Sequence, residues 1–418
     1  MPTYLHDPKV VGEPRPASEP VLRVEKKRRL IGKLAPAILI AWITVDLVSR
    51  SISPSLLNVD PWLTVSTFPA RYVPFSADKS FVIQRYVGGN ARAANAQPTE
   101  VVGPIVFSTD HRGFRKNPYL RSEEIPEVLF VKGDSFIYGV GLSDNETLPA
   151  VLTGQYGISS YNGARFHDDP DGMPEIDWLL GHLPGRPTTI VYTYLEHGVF
   201  LSPEVTPGIN GMILRRDPDL DGDLRYLKML NMFFWQMSPT RIVATRFFNS
   251  LENDKIFPNQ GAKTIQSLAL PSGDKLLFRD YEYELATLDR GPAAVARSMT
   301  GFRWLKSELD RRHLRLIVLL LPNRYTLYQP LLTRTDAPWA HYLDNVDAAL
   351  HKEGIETVNG LDYYRAAAQQ EVNNGQLSFF REDAHWNARG VRLIAKPLAE
   401  AIRGNTPAAQ ERARNAIQ

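Results

Sequence analysis

The chain has 418 residues, of which 43% are hydrophobic and 22% are charged, and its 48 basic side chains nearly balance 46 acidic ones. This composition suits one large globular core or two smaller ones, and the near-zero net charge lacks the basic excess that is typical of nucleic-acid-binding proteins. The absence of cysteine excludes a disulfide framework, a thiol nucleophile and cysteine-ligated metal centres.

The N-terminal 49 residues predict a membrane anchor. Residues 1–29 are a Pro-rich tail that ends in the basic run Lys26-Lys27-Arg28-Arg29, and residues 30–49 are mainly apolar. A helix over Leu30–Val48 measures about 28 Å, close to the thickness of a bilayer's hydrocarbon layer. A cleaved signal peptide is disfavoured because small residues are missing at a cleavage site, and a core or interfacial helix remains the alternative. The basic run places the tail in the cytoplasm and the rest of the chain outside.

The remaining chain divides by composition into a spacer, a split α/β domain, an insertion and a polar tail. The spacer mixes prolines with aromatics, and the insertion interrupts the alternation of apolar runs and helical patterns. The predicted boundaries are 50–100 for the spacer, 101–200 and 284–405 for the catalytic domain, 201–283 for the insertion or cap, and 406–418 for the tail.

Short apolar runs alternate with longer helical patterns after residue 100, which predicts βαβ units and a mostly parallel sheet. The predicted strands are Val128–Lys132, Gly157–Tyr161, Thr189–Thr193, Leu314–Leu321 and Ile355–Val358. The predicted helices are Leu148–Gln155, Glu175–Leu183, Ala294–Arg312, Trp339–Glu353 and Val391–Arg403. This order of elements predicts the α/β class.

Polar residues follow the ends of these strands, and in an open parallel sheet such residues converge on one crevice. The candidates are Asp134-Ser135, Asn162-Gly163, Glu196-His197, Asn323-Arg324 and, after the fifth strand, Asp383-Ala384-His385-Trp386. We therefore expect one site at the carboxyl edge of the sheet.

Serine-based acyl transfer needs a hydroxyl beside an imidazole, a group that orients the imidazole, and N–H donors for the oxyanion. Ser135, at a strand-to-helix turn, is the predicted nucleophile. His385 is the predicted general base, and Asp383 is the residue that orients it. The backbone amides of Ser135 and Gly163 are the predicted oxyanion hole.

These residues carry a family resemblance. FVKGDSFIYGVGLSDNETLPAVL resembles the first block of the SGNH, or GDSL-type, hydrolase superfamily, and EDAHWNARGVRLIAKPLAEAI resembles its last block. STDHRGFRKNPY is similar to the lead-in segment of bacterial members, and RWLKSELDRRHLRLIVLLLPNRYTLYQPLL to the branch of membrane-anchored alginate O-acetyltransferase components (AlgJ/AlgX-like). The resemblance implies a flavodoxin-like three-layer fold, here with an insertion of mixed structure and one N-terminal transmembrane helix.

One position departs from the superfamily pattern. Many SGNH esterases place an oxyanion-binding Asn after the third strand, whereas this chain has Glu196-His197 there. His197 is a candidate replacement donor, and the alternative is an oxyanion hole made by the Ser135 and Gly163 amides alone. The predicted substrate-binding residues are Asp134, Asn162, Glu196, Asn323, Arg324 and Trp386, with a capped turn as the alternative for Arg324 and packing beneath the loop as the alternative for Trp386.

The leading functional hypothesis is a membrane-anchored O-acyltransferase, most simply an acetyltransferase, that acts on a cell-surface or exported polysaccharide through an acyl-serine. It requires no cofactor and no metal, and it implies a multispan membrane partner that delivers acyl groups. The expected location is the cell (inner) membrane, with the catalytic domain in the periplasm or outside. The alternatives are an SGNH esterase that deacylates glycans or lipids, and a degenerate scaffold without chemistry.

Overall fold

A computed structural model describes most of the predicted α/β domain. The described residues are 36, 40–46, 48, 75, 77–93, 99–100, 102–132, 134–164, 173–196, 206–207, 213–214, 265–279, 282, 291–333 and 341–404. Gly133, His197 and both predicted tails lie outside these residues, as does most of the predicted anchor. Within the described part, no helix is both long enough and apolar enough to cross a membrane.

Eleven strands are described, and five of them form the central sheet. They are β1 (Ser80–Ile83), β2 (Ile105–Ser108), β3 (Val128–Val131), β4 (Ser160–Asn162), β5 (Thr189–Leu195), β6 (Thr206–Pro207), β7 (Ile213–Leu214), β8 (Ile265–Ala269), β9 (Lys275–Arg279), β10 (Arg315–Leu321) and β11 (Glu356–Asn359). The central sheet has the order β11-β10-β5-β3-β4, and all four of its pairings are parallel.

The central strands are apolar because helices cover the sheet. All four residues of β3 are buried, and so are six of the seven in β10. In register, Leu129 of β3 lies beside Ile190 of β5, and Leu319 of β10 lies beside Thr193. The sheet is thus one continuous core layer.

Nine α-helices with defined bounds lie among the described residues from Gly89 onward. They are α1 (Gly89–Ala93), α2 (Asp134–Tyr138), α3 (Leu148–Tyr156), α4 (Met173–His182), α5 (Pro292–Arg311), α6 (Arg324–Thr333), α7 (Tyr342–Lys352), α8 (Gly360–Asn374) and α9 (Ala388–Ile402). Helix α5 packs with α7, and α3 packs with α9. The Tyr194 hydroxyl on β5 bonds to Ser298 of α5 and to Tyr342 of α7, which joins this helix pair to the sheet.

The α/β class and the mostly parallel sheet are confirmed. The predicted strands correspond to β3, β4, β5, β10 and β11, although β4 begins at Ser160 rather than at Gly157. Gly157 has a φ of 66° and ends α3, and such left-handed backbone is typical of a glycine that terminates a helix. Helices α1, α6 and α8 are additions to the predicted elements.

Three antiparallel strand pairs are described outside the central sheet: β1 of the predicted spacer pairs with β2 of the predicted catalytic domain, and β6–β7 and β8–β9 lie in the predicted insertion. Ile83 of β1 and Phe278 of β9 are both buried in the hydrophobic core. Parts of the predicted spacer and insertion therefore pack with the α/β unit.

Candidate active site

The nucleophile candidate lies at the carboxyl end of the central strand β3. The chain leaves this buried strand through Lys132, whose φ of 58° is left-handed, and enters the short helix α2. Ser135 is in the first turn of α2 and is partly exposed. The side chain of Asp134 is outside the described part. The predicted strand-to-helix turn is therefore present at Ser135.

Ser135, His385 and Asp383 form one hydrogen-bonded chain. His385 Nε2 lies 2.6 Å from Ser135 Oγ, and His385 Nδ1 bonds to Asp383 Oδ1. The backbone N–H of His385 also donates to Asp383 Oδ1, at 3.1 Å. When Nδ1–H donates to the carboxylate, Nε2 is left as the acceptor for the serine hydroxyl. This arrangement can remove a proton from Ser135.

Asp383 is buried, and its second carboxylate oxygen has partners of its own. The Tyr86 hydroxyl donates to Oδ2 at 2.6 Å, and the Gly89 N–H donates to the same oxygen at 2.5 Å. Burial alone raises the pKa of a carboxyl group, but His385 and these two donors together hold the pKa of Asp383 well below its usual range. Asp383 is therefore an anion at neutral pH and can stabilise a positive charge on His385.

Trp386 connects the Asp383–His385 loop to the helix that carries the serine. Its side chain is fully buried, and Nε1–H donates to the Phe136 carbonyl at 3.1 Å. The Phe136 ring lies 5.0 Å from the His385 ring and 5.6 Å from the Trp386 ring. Trp386 therefore packs beneath the loop, and this burial argues against the predicted contact with substrate.

Asn387 ends the same loop by capping helix α9. Its side-chain oxygen accepts hydrogen bonds from the N–H groups of Arg389 and Gly390. Such a cap fixes the first turn of a helix and the direction from which the chain enters it. The loop with the Asp-x-His-Trp-Asn pattern is therefore attached to α2 through Trp386 and to α9 through the Asn387 cap.

The Gly163 amide is already used in the sheet. It donates to the Phe130 carbonyl at 3.0 Å, and the next amide, Ala164 N–H, donates to Asn162 Oδ1 at 3.2 Å. A Cβ on Gly163 would lie 2.6 Å from the Phe130 carbonyl oxygen, so close approach of the backbones requires glycine here. This geometry argues against the predicted role of Gly163 as an oxyanion donor. The Ser135 amide stays a prediction, and His197, the other predicted donor, lies outside the described residues.

Three predicted substrate-binding residues stabilise the strand ends instead. Asn162 Nδ2 donates to the Ile137 carbonyl at the end of α2. Glu196 is buried and accepts the Asn323 N–H at 2.7 Å and the Thr326 hydroxyl at 3.0 Å, so it caps the start of α6. Asn323 Oδ1 accepts the Tyr325 N–H. These contacts give all three residues internal roles.

Arg324, another predicted substrate-binding residue, forms a buried ion pair with Glu282 of the same chain. Its guanidinium is 0% exposed and lies 2.7 Å from Glu282 Oε1, whose side chain is 1% exposed. The same guanidinium donates to the carbonyls of Phe380 and Arg381, just before the Asp383–His385 loop. Burial at this level argues against the predicted contact with substrate, and Arg324 instead connects the loop to the start of α6.

Two contributors to the site have no counterpart among the predicted residues: Tyr86 and Gly89, both within the predicted spacer. The signal that would have pointed to them is the Gly88-Gly89 pair, because paired glycines often mark a close approach of another backbone. A Cβ on Gly88 would lie 2.2 Å from the Glu382 carbonyl oxygen.

No group of three or more histidine, aspartate or glutamate side chains that could hold a metal ion occurs among the described residues. The local chemistry is that of a serine, an imidazole and a buried carboxylate. Such a set can form and resolve an ester with Ser135.

Residues 271–418 match the family model of the SGNH hydrolase-like domain of the acetyltransferase AlgX. The resemblance to the SGNH superfamily and its AlgX-like branch is confirmed. The matched residues make up about a third of the chain and include Asp383 and His385, whereas Ser135 lies before them. A comparison with curated proteins finds no match. The SGNH-like match supports an acyltransferase or esterase kind of activity.

Proposed function

We propose that this protein is a serine-dependent O-acyltransferase that transfers an acyl group, most simply acetyl, to a polysaccharide hydroxyl. The observation that carries the proposal is the hydrogen-bonded chain from Ser135 through His385 to Asp383. The AlgX-like match supports a polysaccharide as the acceptor class.

The first half of the reaction forms the acyl-serine. Ser135 Oγ attacks the acyl carbonyl carbon while its proton moves to His385 Nε2, and Asp383 stabilises the resulting imidazolium. The negative charge that develops on the carbonyl oxygen needs N–H donors, for which we propose the Ser135 amide at the start of α2. His385 then returns the proton to the leaving oxygen as the bond to the donor breaks.

The second half repeats these steps in reverse. A sugar hydroxyl enters, loses its proton to His385 Nε2 and attacks the acyl-serine carbonyl. The bond to Ser135 Oγ breaks, and the proton returns from the imidazolium to that oxygen, which regenerates the enzyme. Water in place of the sugar would give hydrolysis, so the choice of acceptor separates the transferase from an esterase.

The test compares wild type with Ser135→Ala on an acetyl ester, with and without oligosaccharide acceptors, and reads the products by mass spectrometry. Ser272→Ala is the matched control, since Ser272 is exposed in the turn between β8 and β9. We expect acetylated sugar from wild type and from the control only. Equal acetate release with and without acceptor would favour the esterase, and no adduct of wild-type Ser135 with a fluorophosphonate would favour a scaffold without chemistry.

We further propose that residues 30–49 anchor the protein in the cell membrane, with the catalytic residues in the periplasm or outside. The apolar run behind four basic residues supports this orientation. Membrane fractionation of full-length protein and of a chain truncated before Ser51 tests it. Identical partition of the two would refute the anchor.

A transferase outside the cytoplasm needs acyl groups carried across the membrane. We therefore propose a multispan membrane partner that delivers them. Crosslinking of full-length protein in intact membranes, followed by mass spectrometry, should recover such a partner, and a purified protein that is fully active with a cytoplasmic-type thioester alone would argue against it.

A further inference from the structure

The Tyr86 hydroxyl contacts the orienting carboxylate from the side opposite the imidazole. Tyr86 precedes Asp383 by 297 positions, yet its O–H donates to Asp383 Oδ2 at 2.6 Å, while Oδ1 faces His385. The Tyr86 side chain is 3% exposed. The hydrogen bond is therefore shielded from water, where bonds to a charged group are strongest.

Backbone contacts fix the position of Tyr86 relative to the loop. The Glu382 carbonyl accepts the N–H groups of Asn90 at 3.0 Å and of Ala91 at 3.2 Å, and the Gly89 N–H reaches Asp383 directly. Tyr86 itself is tied to Val102 by a backbone hydrogen bond of 2.7 Å. The phenol is thus held against the carboxylate by rigid backbone on both sides.

We propose that Tyr86 is a positioning residue for Asp383, an inference that rests on the proposed function. Its hydroxyl fixes the rotation of the carboxylate so that Oδ1 points at His385 Nδ1, and it withdraws part of the negative charge from that oxygen pair. Tyr86 has no role in contacting substrate, so its effect is transmitted through Asp383 and His385.

Loss of the Tyr86 hydroxyl should shift the His385 titration in one defined direction. The Gly89 N–H still donates to Asp383 Oδ2, so the carboxylate stays ionised. Without the Tyr86 hydroxyl, however, the Asp383 oxygen that faces His385 carries more negative charge. A more negative Asp383 favours the imidazolium, so the midpoint of the His385 titration should rise. Among the described residues, the substitution leaves in place the other charged groups around this loop, which are Glu100, Asp274, Glu282, Arg324, Arg381 and Glu382.

The experiment compares full-length wild type, Tyr86→Phe and Tyr161→Phe. Tyr161 is a matched control because its hydroxyl also donates to an aspartate oxygen, Asp110 Oδ2 at 2.7 Å, in a partly buried position in a different part of the fold. One measurement is the rate at which a fluorophosphonate labels Ser135 across about pH 5 to 8, where imidazoles titrate. The other is the titration of His385 in ¹⁵N-histidine NMR spectra, assigned with His385→Gln.

For Tyr86→Phe we expect the plateau labelling rate to fall about 5-fold, far less than the roughly 10⁴-fold effect of neutralising the orienting aspartate in serine hydrolases. Both midpoints should rise by about half a pH unit. Tyr161→Phe should change neither quantity. Wild-type rates and midpoints in Tyr86→Phe would overturn the inference and leave the proposed function intact.

Absence of labelling in wild type would instead overturn the proposed function. The NMR titration would still test the role of Tyr86, because an unshifted His385 midpoint in Tyr86→Phe would refute an effect of Tyr86 on His385 through Asp383. If Tyr86→Phe loses its folded circular dichroism signal, 3-fluorotyrosine at position 86 replaces it. Its more acidic hydroxyl is a stronger donor and should lower the midpoint. An unchanged midpoint in that protein would also overturn the inference.

Discussion

The buried Arg324–Glu282 pair provides the sharpest test of how the active-site loop is held. Arg324→Met removes the guanidinium but keeps an apolar side chain of similar length beside the Phe278 ring, over which the guanidinium carbon lies at 4.6 Å. The substitution leaves Glu282 as a buried carboxylate without its cation. It also removes the donor to the Phe380 and Arg381 carbonyls.

Breaking a buried ion pair by removing one partner costs about 3–5 kcal/mol of unfolding free energy. Glu282 Oε2 keeps two donors, Asn90 Nδ2 at 2.7 Å and the Arg279 N–H at 2.8 Å, which places the expected loss near the lower end, at about 3 kcal/mol. With an unfolding entropy of about 2.1 cal/mol/K per residue, that loss lowers the melting temperature of a 418-residue chain by roughly 3–4 °C.

The assay is thermal and urea unfolding of full-length protein followed by circular dichroism. Arg303→Met is the matched control, because Arg303 also lies 2.7 Å from a glutamate, Glu353, but its side chain is 55% exposed. We expect the control to melt almost as wild type does, since solvent screens exposed pairs. The double variant Arg324→Met/Glu282→Gln should regain much of the lost stability, because glutamine keeps the hydrogen-bond acceptor and removes the unpaired charge.

Equal melting temperatures for Arg324→Met and Arg303→Met would refute this account of the pair. So would a double variant that is less stable than Arg324→Met alone, because the cost would then not come from an uncompensated charge. Loss of labelling at Ser135 should accompany the loss of stability only for Arg324→Met, since Arg303 lies on the outer surface of α5.

Three further predictions concern the groups around the loop. Asp383→Asn should slow acetyl transfer by about 10⁴-fold at neutral pH. Because the pKa of Asp383 is held low, this residue also contributes stability that is present above about pH 4 and declines as the pH falls. Urea titrations at several pH values should show that decline in wild type and not in the variant. Burial raises the pKa of Glu100, so its charge disfavours the folded state at neutral pH, and Glu100→Gln should raise the urea midpoint at pH 7 and leave it unchanged below about pH 4. Gly88→Ala should slow Ser135 labelling at least several-fold and lower the melting temperature, because its Cβ would lie 2.2 Å from the Glu382 carbonyl oxygen; a variant that labels as wild type does would show that the two backbones can separate freely.

The sheet and the convergence of Ser135, Asp383 and His385 were predictable because local signals define them. The run from Leu314 to Leu321 is apolar at every position but one, and a strand buried on both faces must be so. Ser135 and the Asp383–His385 pair each lie where a polar cluster follows an apolar run. Parallel topology then brings these distant clusters to the same edge of the sheet.

The supporting residues were not predictable from local patterns. Tyr86 lies in a stretch without clear periodicity, and nothing near it in the sequence indicates a partner almost 300 positions later. Arg324 follows a strand end, where ligands often bind, and only the buried Glu282 shows that its charge is satisfied internally. Gly163 has the residue type of an oxyanion donor, but the register of β3 and β4 assigns its N–H to Phe130.

These contacts connect residues upstream of residue 101 to the candidate site. Ser135 comes from α2 and His385 from a loop 250 positions later, and the carboxylate that orients His385 is held by residues 86–91. A chain that begins at residue 101 would keep the three reactive side chains but lose two donors to Asp383 Oδ2 and two to the Glu382 carbonyl. Of the described side-chain contacts of this carboxylate, only those on the His385 side would then remain, so Tyr86 and Gly89 of the predicted spacer are part of the candidate site.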